Sequence, residues 1–246
     1  MSHQNLYKKF AKYYDKIYSK KDYKRECEFI KWAVSHHKTS PGDKLLDVAC
    51  GTGAHASLLK NNYSITGIDL SSNMLDIARK KVSDVKFETG DMKKLNLEDK
   101  FDIITCLFSA MNYNTTLKEY ETTLKNFYNY LYHGGVLIFD LGINKDNWLE
   151  GMISVDTVAE DNLKLARICQ SHLEGNIFNA SFVFLVKENN QLDFDIDHHV
   201  IGVFKICEIF ELMKKVGFEV KIYREFTSKQ WEEESMERPV FVGLKH

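Results

Sequence analysis

Between residues 44 and 141 the chain alternates between two hydrophobic periods. Lys44–Ala49, Ser64–Asp69, Val85–Thr89, Phe101–Leu107 and Val136–Leu141 are short apolar runs of strand length. Between them lie stretches with apolar residues at helical spacing. These are Ala54–Asn61, a helix opened by Ser71 or Ser72 in which Met74, Ile77 and Ala78 share a face, and Thr116–Leu131. Phe101–Leu107 is nearly continuous in apolar residues, as expected of a central parallel strand covered on both sides. Strand–helix–strand repetition of this kind predicts an α/β, doubly wound sheet. Upstream, Tyr7, Phe10, Tyr14, Ile17 and Tyr18 recur at helical spacing through 5–18, and a second helix is expected over 23–37. From about Ile153 the period falls to two. Phe182–Val186 and Leu192–Ile196 read as a hairpin, with Leu192, Phe194 and Ile196 on one face and Asp193, Asp195, Asp197 and His199 on the other. A helix at 205–216 stopped by Gly217, then strands at 218–223 and 240–244, close the pattern. Residues 1–40 are therefore expected to form a helical lid, 41–145 and 205–246 the main sheet, and 146–204 an antiparallel insertion that carries acceptor specificity.

Composition narrows the class. The 246 residues are 44% hydrophobic and 28% charged, as in a globular chain, and the net charge of −2 gives no electrostatic case for a nucleic-acid or membrane partner. Cys27, Cys50, Cys106, Cys169 and Cys207 contain no CxxC, so they read as reduced thiols of a cytoplasmic protein. The polar N-terminus does not resemble a signal peptide, and no apolar run approaches the roughly 18 residues of a membrane span. A homo-oligomer is compatible with the sequence but not indicated by it.

The first strand runs into Gly51-Thr52-Gly53-Ala54-His55-Ala56, a GxGxxA turn whose glycines let backbone N–H groups approach a ligand beside a helix N-terminus. Asp69 ends the second strand, where an acid can take both hydroxyls of a ribose. Asp91 ends the third, in Gly90-Asp91-Met92, where a carboxylate and the next N–H can face an adenine. Asp47 stands just before the turn. A carboxylate there is unhelpful to a pyrophosphate but suits a ligand bearing an ammonium group. This favours S-adenosylmethionine over NAD.

In these motifs the chain resembles the class I S-adenosylmethionine-dependent methyltransferases. The matching segments are Leu45–Gly53, Gly67–Leu75, Gly90–Met92 and Phe101–Cys106, in order and at family spacing across 44–140. The resemblance implies a Rossmann-like seven-stranded sheet with its last strand antiparallel. It implies that Asp69 binds the ribose, that Asp91 and Met92 flank the adenine, and that Ala49, Cys50, Gly51, Thr52 and Gly53 surround the methionine part. Leu107 and Phe108 would bound the methyl-donor side. Leu70, Met74 and Gly90 lie within the same motifs and are counted with them as cofactor contacts. A narrower similarity joins Tyr14-Asp15, Asp22-Tyr23-x-x-Glu26, Cys106–Tyr113, the insertion and Arg238–Leu244 to the N-methyltransferases of nucleotide-linked amino sugars. It implies that Tyr23 touches the cofactor, that Tyr14 sits by cofactor and acceptor amine, and that Arg238 meets the nucleotide diphosphate. The chain departs from that subgroup at Asn112-Tyr113, where Gly-His is expected; both are carried as acceptor-side candidates.

Methyl transfer from a sulfonium is an in-line displacement on an activated donor, and positioning alone supplies roughly 7–11 kcal/mol. An amine acceptor must first lose a proton, so a base helps. Tyr14, Tyr113 and His199 are the candidates, with Asp197 on the same strand face as His199. Asp195, Asp197 and His199 could together face a metal, but amine methylation needs none, and no metal is expected. Arg238 suits a phosphate clamp; its structural alternative is an ion pair with Glu232, Glu233 or Glu234. The expected function is thus methyl transfer to an amine or hydroxyl of a small molecule. The alternatives are a non-catalytic S-adenosylmethionine-binding regulator and an NAD-dependent oxidoreductase tolerant of Asp47→Asn.

Overall fold

The computed structural model describes residues 5–145, 150–232 and 235–246. Five strands of the main sheet precede the insertion: β1 (Lys44–Val48), β2 (Ser64–Asp69), β3 (Lys86–Thr89), β4 (Phe101–Cys106) and β5 (Leu131–Asp140). The insertion supplies β6 (Ile153–Glu160), β7 (Leu163–Glu174), β8 (Ile177–Glu188) and β9 (Gln191–Gly202), and the main sheet is completed by β10 (Glu219–Arg224) and β11 (Pro239–Leu244). The seven-stranded order is β10-β11-β5-β4-β1-β2-β3, and β11 runs antiparallel to both of its neighbours. The expected sheet, with its last strand reversed, is what the chain forms.

Helices cover both faces because neighbouring residues of the buried strands point to opposite sides. Leu45, Ile103, Val136 and Val242 join one core with α2 (Tyr23–His37), α3 (Ala54–Leu59) and α4 (Ser72–Lys81). Leu46, Ile104, Leu137 and Phe241 join the other with α5 (Leu117–Tyr130) and α6 (Ile206–Val216). The helix starts are written locally. The side chains of Asp22, Ser71 and Thr116 accept the N–H groups of Arg25, Met74 and Glu119. Ser71, not Ser72, is thus the cap of α4. Gly217, at φ +117°, ends α6.

Two boundaries differ from the sequence reading. Residues 5–18 do not form one helix. They fold as two 3₁₀ turns, Asn5–Tyr7 and Ala11–Tyr13, followed by the single-turn α1 (Tyr14–Ile17). The apolar spacing is read by two separate surfaces, and a straight helix could not follow both. Strand β5 begins at Leu131 instead of after the glycine pair. Gly134 sits within it at φ +79°, where its carbonyl accepts the N–H groups of Thr39 and Ser40 at 2.8 and 3.0 Å.

The insertion is a second, four-stranded antiparallel sheet in the order β6-β7-β8-β9. Its last hairpin turns at Asn189 and Asn190, both left-handed (φ 49° and 64°), the conformation a two-residue hairpin demands. The inner face places Leu163, Leu165, Phe184 and Val186 against Leu6, Phe10 and Tyr13 of the N-terminal segment. The outer face carries Val155, Ile168, Val183 and Ile196 in one cross-strand row, all exposed.

Phe10 stacks on Phe184 at 4.8 Å between ring centres, with Phe10 only 1% exposed. Truncation of a buried aromatic costs about 3–5 kcal/mol. Phe10→Ala is therefore expected to speed amide exchange through residues 5–18 by several hundredfold while the amides of β1, β4 and β5 keep their protection; hydrogen-exchange mass spectrometry reads both.

Candidate active site

The site is built at the carboxyl edge of the parallel strands, where three left-handed non-glycine residues stand. Ala49 follows β1 at φ 56°, and Phe108 and Ser109 follow β4 at φ 59° and 60°. Left-handed non-glycine residues cost on the order of 1–3 kcal/mol each and need surroundings that hold them. Acids at the ends of neighbouring strands do so. Asp69, ending β2, accepts the N–H groups of Gly51 at 2.9 Å and Ser71 at 2.8 Å. Asp140, ending β5, accepts those of Phe108 at 2.6 Å and Ser109 at 3.2 Å. Burial pushes the carboxyls of Asp47, Asp69 and Asp140 above the ordinary aspartate value near 3.8. For Asp140, the Arg238 guanidinium at 3.5 Å opposes that push.

Above this edge lies one cavity of about 670 Å³, large enough for a drug-sized ligand. One end is lined by Asp69, Leu70, Met74, Gly90, Asp91 and Met92. Ala49, Gly51, Leu107 and Phe108 form its floor. Tyr14, Tyr113, His199 and Arg238 complete the lining, with Tyr7, Tyr18 and Phe182. A recess adjoining the floor is bounded by Tyr23, Asp47, Cys50 and Thr52. The structure thus brings together nearly all the residues expected at the site, drawn from the N-terminal segment, five strand ends and the insertion.

The recess has the chemistry of a cation seat. Asp47 is 3% exposed; its Oδ1 accepts the Thr105 hydroxyl at 2.8 Å, and its buried Oδ2 has no protein partner. An unsatisfied carboxylate oxygen in such a place is costly unless a ligand donates to it. Nearby, Glu26 accepts from Lys21 and from His55 Nε2 (2.7 Å). Burial raises the Glu26 carboxyl, but these two partners outweigh it and hold it below the ordinary range.

Two expected residues lie elsewhere. Gly53 does not line the cavity; a side chain there would press on Phe87 and Ala78, so its role is to let α3 pack closely. Asn112 is 2% exposed and donates to the carbonyls of Ile143 (3.0 Å) and Gly202 (2.8 Å). It ties the loop after β4 to the insertion and is not among the residues lining the cavity. Thr52 is shared: its hydroxyl donates to Asp15 at 2.6 Å, locking the N-terminal segment onto the glycine turn. Among the described residues, the carboxylates near Arg238 are Asp140 and Glu26 (4.0 Å); Glu233 and Glu234 lie outside them. Asp193 and Asp195 bind Lys9 at 2.9 and 3.1 Å, apart from the buried Asp197–His199 pair. Among the described residues no helix is long and apolar enough to cross a membrane, and no three metal-ligating side chains converge. Sequence reading missed Tyr7, Tyr18, Phe182, Glu26 and Asp140 as site residues. Signals were present for three kinds of residue: Asp140 is an acid ending a strand like Asp69, Glu26 closes the Asp22-Tyr23-x-x-Glu26 motif, and Tyr7 and Tyr18 belong to the tyrosine-rich N-terminal stretch.

Residues 45–135 match the methyltransferase domain family model. The chain is 31% identical to the dTDP-3-amino-3,4,6-trideoxy-alpha-D-glucopyranose N,N-dimethyltransferase of Streptomyces venezuelae, over 82% of this chain and 85% of the relative. It belongs to the class I S-adenosylmethionine-dependent methyltransferases. Two solved structures agree over nearly the whole chain. The S-adenosylmethionine-dependent methyltransferase of Clostridium acetobutylicum is 25% identical with a TM-score of 0.82, covering 98% of this chain and 99% of that one. The sugar N-methyltransferase KedS8 of Streptoalloteichus is 25% identical with a TM-score of 0.83, covering 95% and 92%. The cavity and its recess fit this cofactor: hydroxyl-accepting acids at one end of the cavity, and in the adjoining recess a buried oxygen that an ammonium group would satisfy.

The raised carboxyls fix the pH dependence of binding. A group whose pKa is raised takes up its proton at a higher pH than a free aspartate, and a protonated acid neither pairs with an ammonium group nor accepts as strongly from a hydroxyl. Affinity for S-adenosylmethionine is therefore expected to be full above that window and to fall as pH drops through it, with a midpoint above 3.8; calorimetry between pH 4 and 7.5 reads it. Asp69→Ala removes two charge-assisted contacts and is expected to weaken binding by roughly 10–100-fold or more at pH 7.5.

Proposed function

We propose that this methyltransferase acts on the amine of a nucleotide-linked amino sugar. The observation that carries the reading is the continuity of the cavity. The acids of β2 and β3 and the tyrosine–histidine wall border one space, so cofactor and acceptor meet over Phe108. The Streptomyces venezuelae relative is named for such an acceptor, and KedS8 is a sugar N-methyltransferase.

When bound, S-adenosylmethionine supplies a methyl group already activated on a sulfonium. Asp69 would take its ribose hydroxyls, Asp91 and Met92 its adenine, and Asp47, with Gly51 and Tyr23, its amino-acid part. The chain's remaining task is to hold an amine in line and remove one proton from it. Tyr14 and Tyr113 face that position from two elements. Tyr113 meets His199 Nδ1 at 2.6 Å, so its hydroxyl is backed by a base. Tyr7, Tyr14 and Tyr18 exclude water with residues 5–22 as a lid, while α2, expected as part of that lid, packs instead in the core of the main sheet. The 146–204 insertion contributes acceptor contacts through Phe182 and His199. Arg238 lies 3.5 and 4.0 Å from its two carboxylates, beyond ordinary hydrogen-bond length, and keeps donors for a diphosphate.

The test is turnover of dTDP-amino sugars against their hydroxyl counterparts, following S-adenosylhomocysteine. Activity confined to amines is expected, and activity confined to hydroxyls would overturn the reading. Arg238→Lys keeps the charge but loses the fork. It is expected to raise KM for the nucleotide-linked acceptor by about tenfold, against little change for the sugar lacking the nucleotide.

A further inference from the structure

The Tyr113–His199 contact is the middle of a longer hydrogen-bonded chain. His199 Nε2 lies 3.0 Å from Asp197 Oδ2, His199 Nδ1 lies 2.6 Å from the Tyr113 hydroxyl, and that hydroxyl lies 2.8 Å from the Tyr7 hydroxyl. Asp197 is fully buried and His199 is 6% exposed, while Tyr7, Tyr113 and His199 all border the cavity. The direction of the chain follows from its inner end. An ionised carboxylate only accepts, so neutral His199 carries its proton on Nε2. Nδ1 is then an acceptor, and Tyr113 donates to it. The Tyr113 oxygen in turn accepts from Tyr7, which leaves the Tyr7 oxygen as the acceptor nearest the cavity.

We propose that Tyr7, Tyr113 and His199 form a proton relay for the acceptor amine, entered at Tyr7, and that Asp197 is the positioning residue that orients it. The proposal rests on the amine-acceptor reading above. The acceptor enters as an ammonium ion. Its proton passes to the Tyr7 oxygen as the Tyr7 proton moves to Tyr113 and the Tyr113 proton to His199 Nδ1. The amine keeps its lone pair, both tyrosines end neutral, and the positive charge rests on an imidazolium beside the Asp197 carboxylate. The shift is concerted, since burial pushes both tyrosine hydroxyls far above their ordinary value and disfavours a free tyrosinate.

The relay depends on the N-terminal segment. The Leu6 N–H donates to Asp197 Oδ2 at 2.8 Å, and the Ser71 hydroxyl holds the Tyr7 carbonyl. One 3₁₀ turn, Asn5–Tyr7, therefore delivers the entry residue and fixes the positioning carboxylate together. The other titratable groups facing the relay are Tyr14 and Tyr18 from the segment and Asp69 from β2; on the side of β8, Phe182 covers the imidazole at 5.1 Å.

The test compares Tyr7→Phe, His199→Gln and Asp197→Asn by the pH profile of kcat/KM with a dTDP-amino sugar. It is paired with the ring ¹⁵N shifts of His199 in cofactor-free protein. At pH 6.5, losses of about 10²-fold are expected for Tyr7→Phe and His199→Gln, and of at least roughly tenfold for Asp197→Asn. All three are expected to shrink toward wild type above the pKa of the acceptor amine, where the neutral amine binds directly. The shifts are expected to show the proton on Nε2 in the wild type and on Nδ1 in Asp197→Asn, whose amide can donate. A loss equal at every pH, full activity of Tyr7→Phe, or a wild-type proton on Nδ1 overturns the relay. Tyr7→Phe preserves the ring packing and carries the kinetic arm if Asp197→Asn does not fold. If the wild type methylates no amine, the acceptor reading and the amine relay fail together; if it does, any of those outcomes overturns the relay alone.

Discussion

Acids at the ends of strands must be solvated by the loops of their neighbours, and this requirement shapes the active edge. Asp69 serves the turn after β1, and Asp140 serves the turn after β4. Each carboxylate gains donors that replace water, and each strained turn gains a fixed acceptor. Neither partner is stable alone: a buried carboxylate without donors is expensive, and left-handed Ala49, Phe108 or Ser109 would relax. The same device thus appears on both sides of the β1/β4 pair, where a doubly wound sheet opens to a ligand. Asp47 is the exception. One of its oxygens is left for something outside the protein to satisfy.

The N-terminal segment is a second tie between the main sheet and the insertion, beside the Asn112–Gly202 contact. Its Leu6, Phe10 and Tyr13 are buried against the insertion, while Tyr7, Tyr14 and Tyr18 turn to the ligand side. Asp15 reaches the glycine turn through Thr52 and Lys81. Acceptor selection and cofactor binding are therefore linked by one stretch of about a dozen residues.

Much of this was legible in the sequence. The main sheet follows from alternation between strand and helix periods, and the cofactor end of the site follows from Gly51, Asp69 and Asp91, because each stands at a strand end where chemistry and position coincide. The acceptor end was less legible. His199 and Asp197 could be placed on one strand face, but not which face of the insertion turns inward. The apolar row that includes Ile196 lies outside, contrary to the usual preference, while Asp197 and His199 of the acid–histidine row are buried within. Tyr7 was indistinguishable from its packing neighbours, since an aromatic at helical spacing says nothing about which of two surfaces it meets. Gly53 and Asn112 stand next to residues that line the cavity or its recess without lining either themselves.

The ion pairs that fasten the N-terminal segment to the insertion have a kinetic meaning. Lys9, Lys12 and Lys16 meet Asp193, Glu188 and Glu160 with 42%, 58% and 41% of the lysine side chains exposed. Pairs so open to water hold weakly and are screened by salt. The apolar contacts beneath them set where the segment docks, while the pairs chiefly set how long it stays. Ionic strength is therefore expected to shorten the time the segment stays docked while leaving the docked arrangement unchanged.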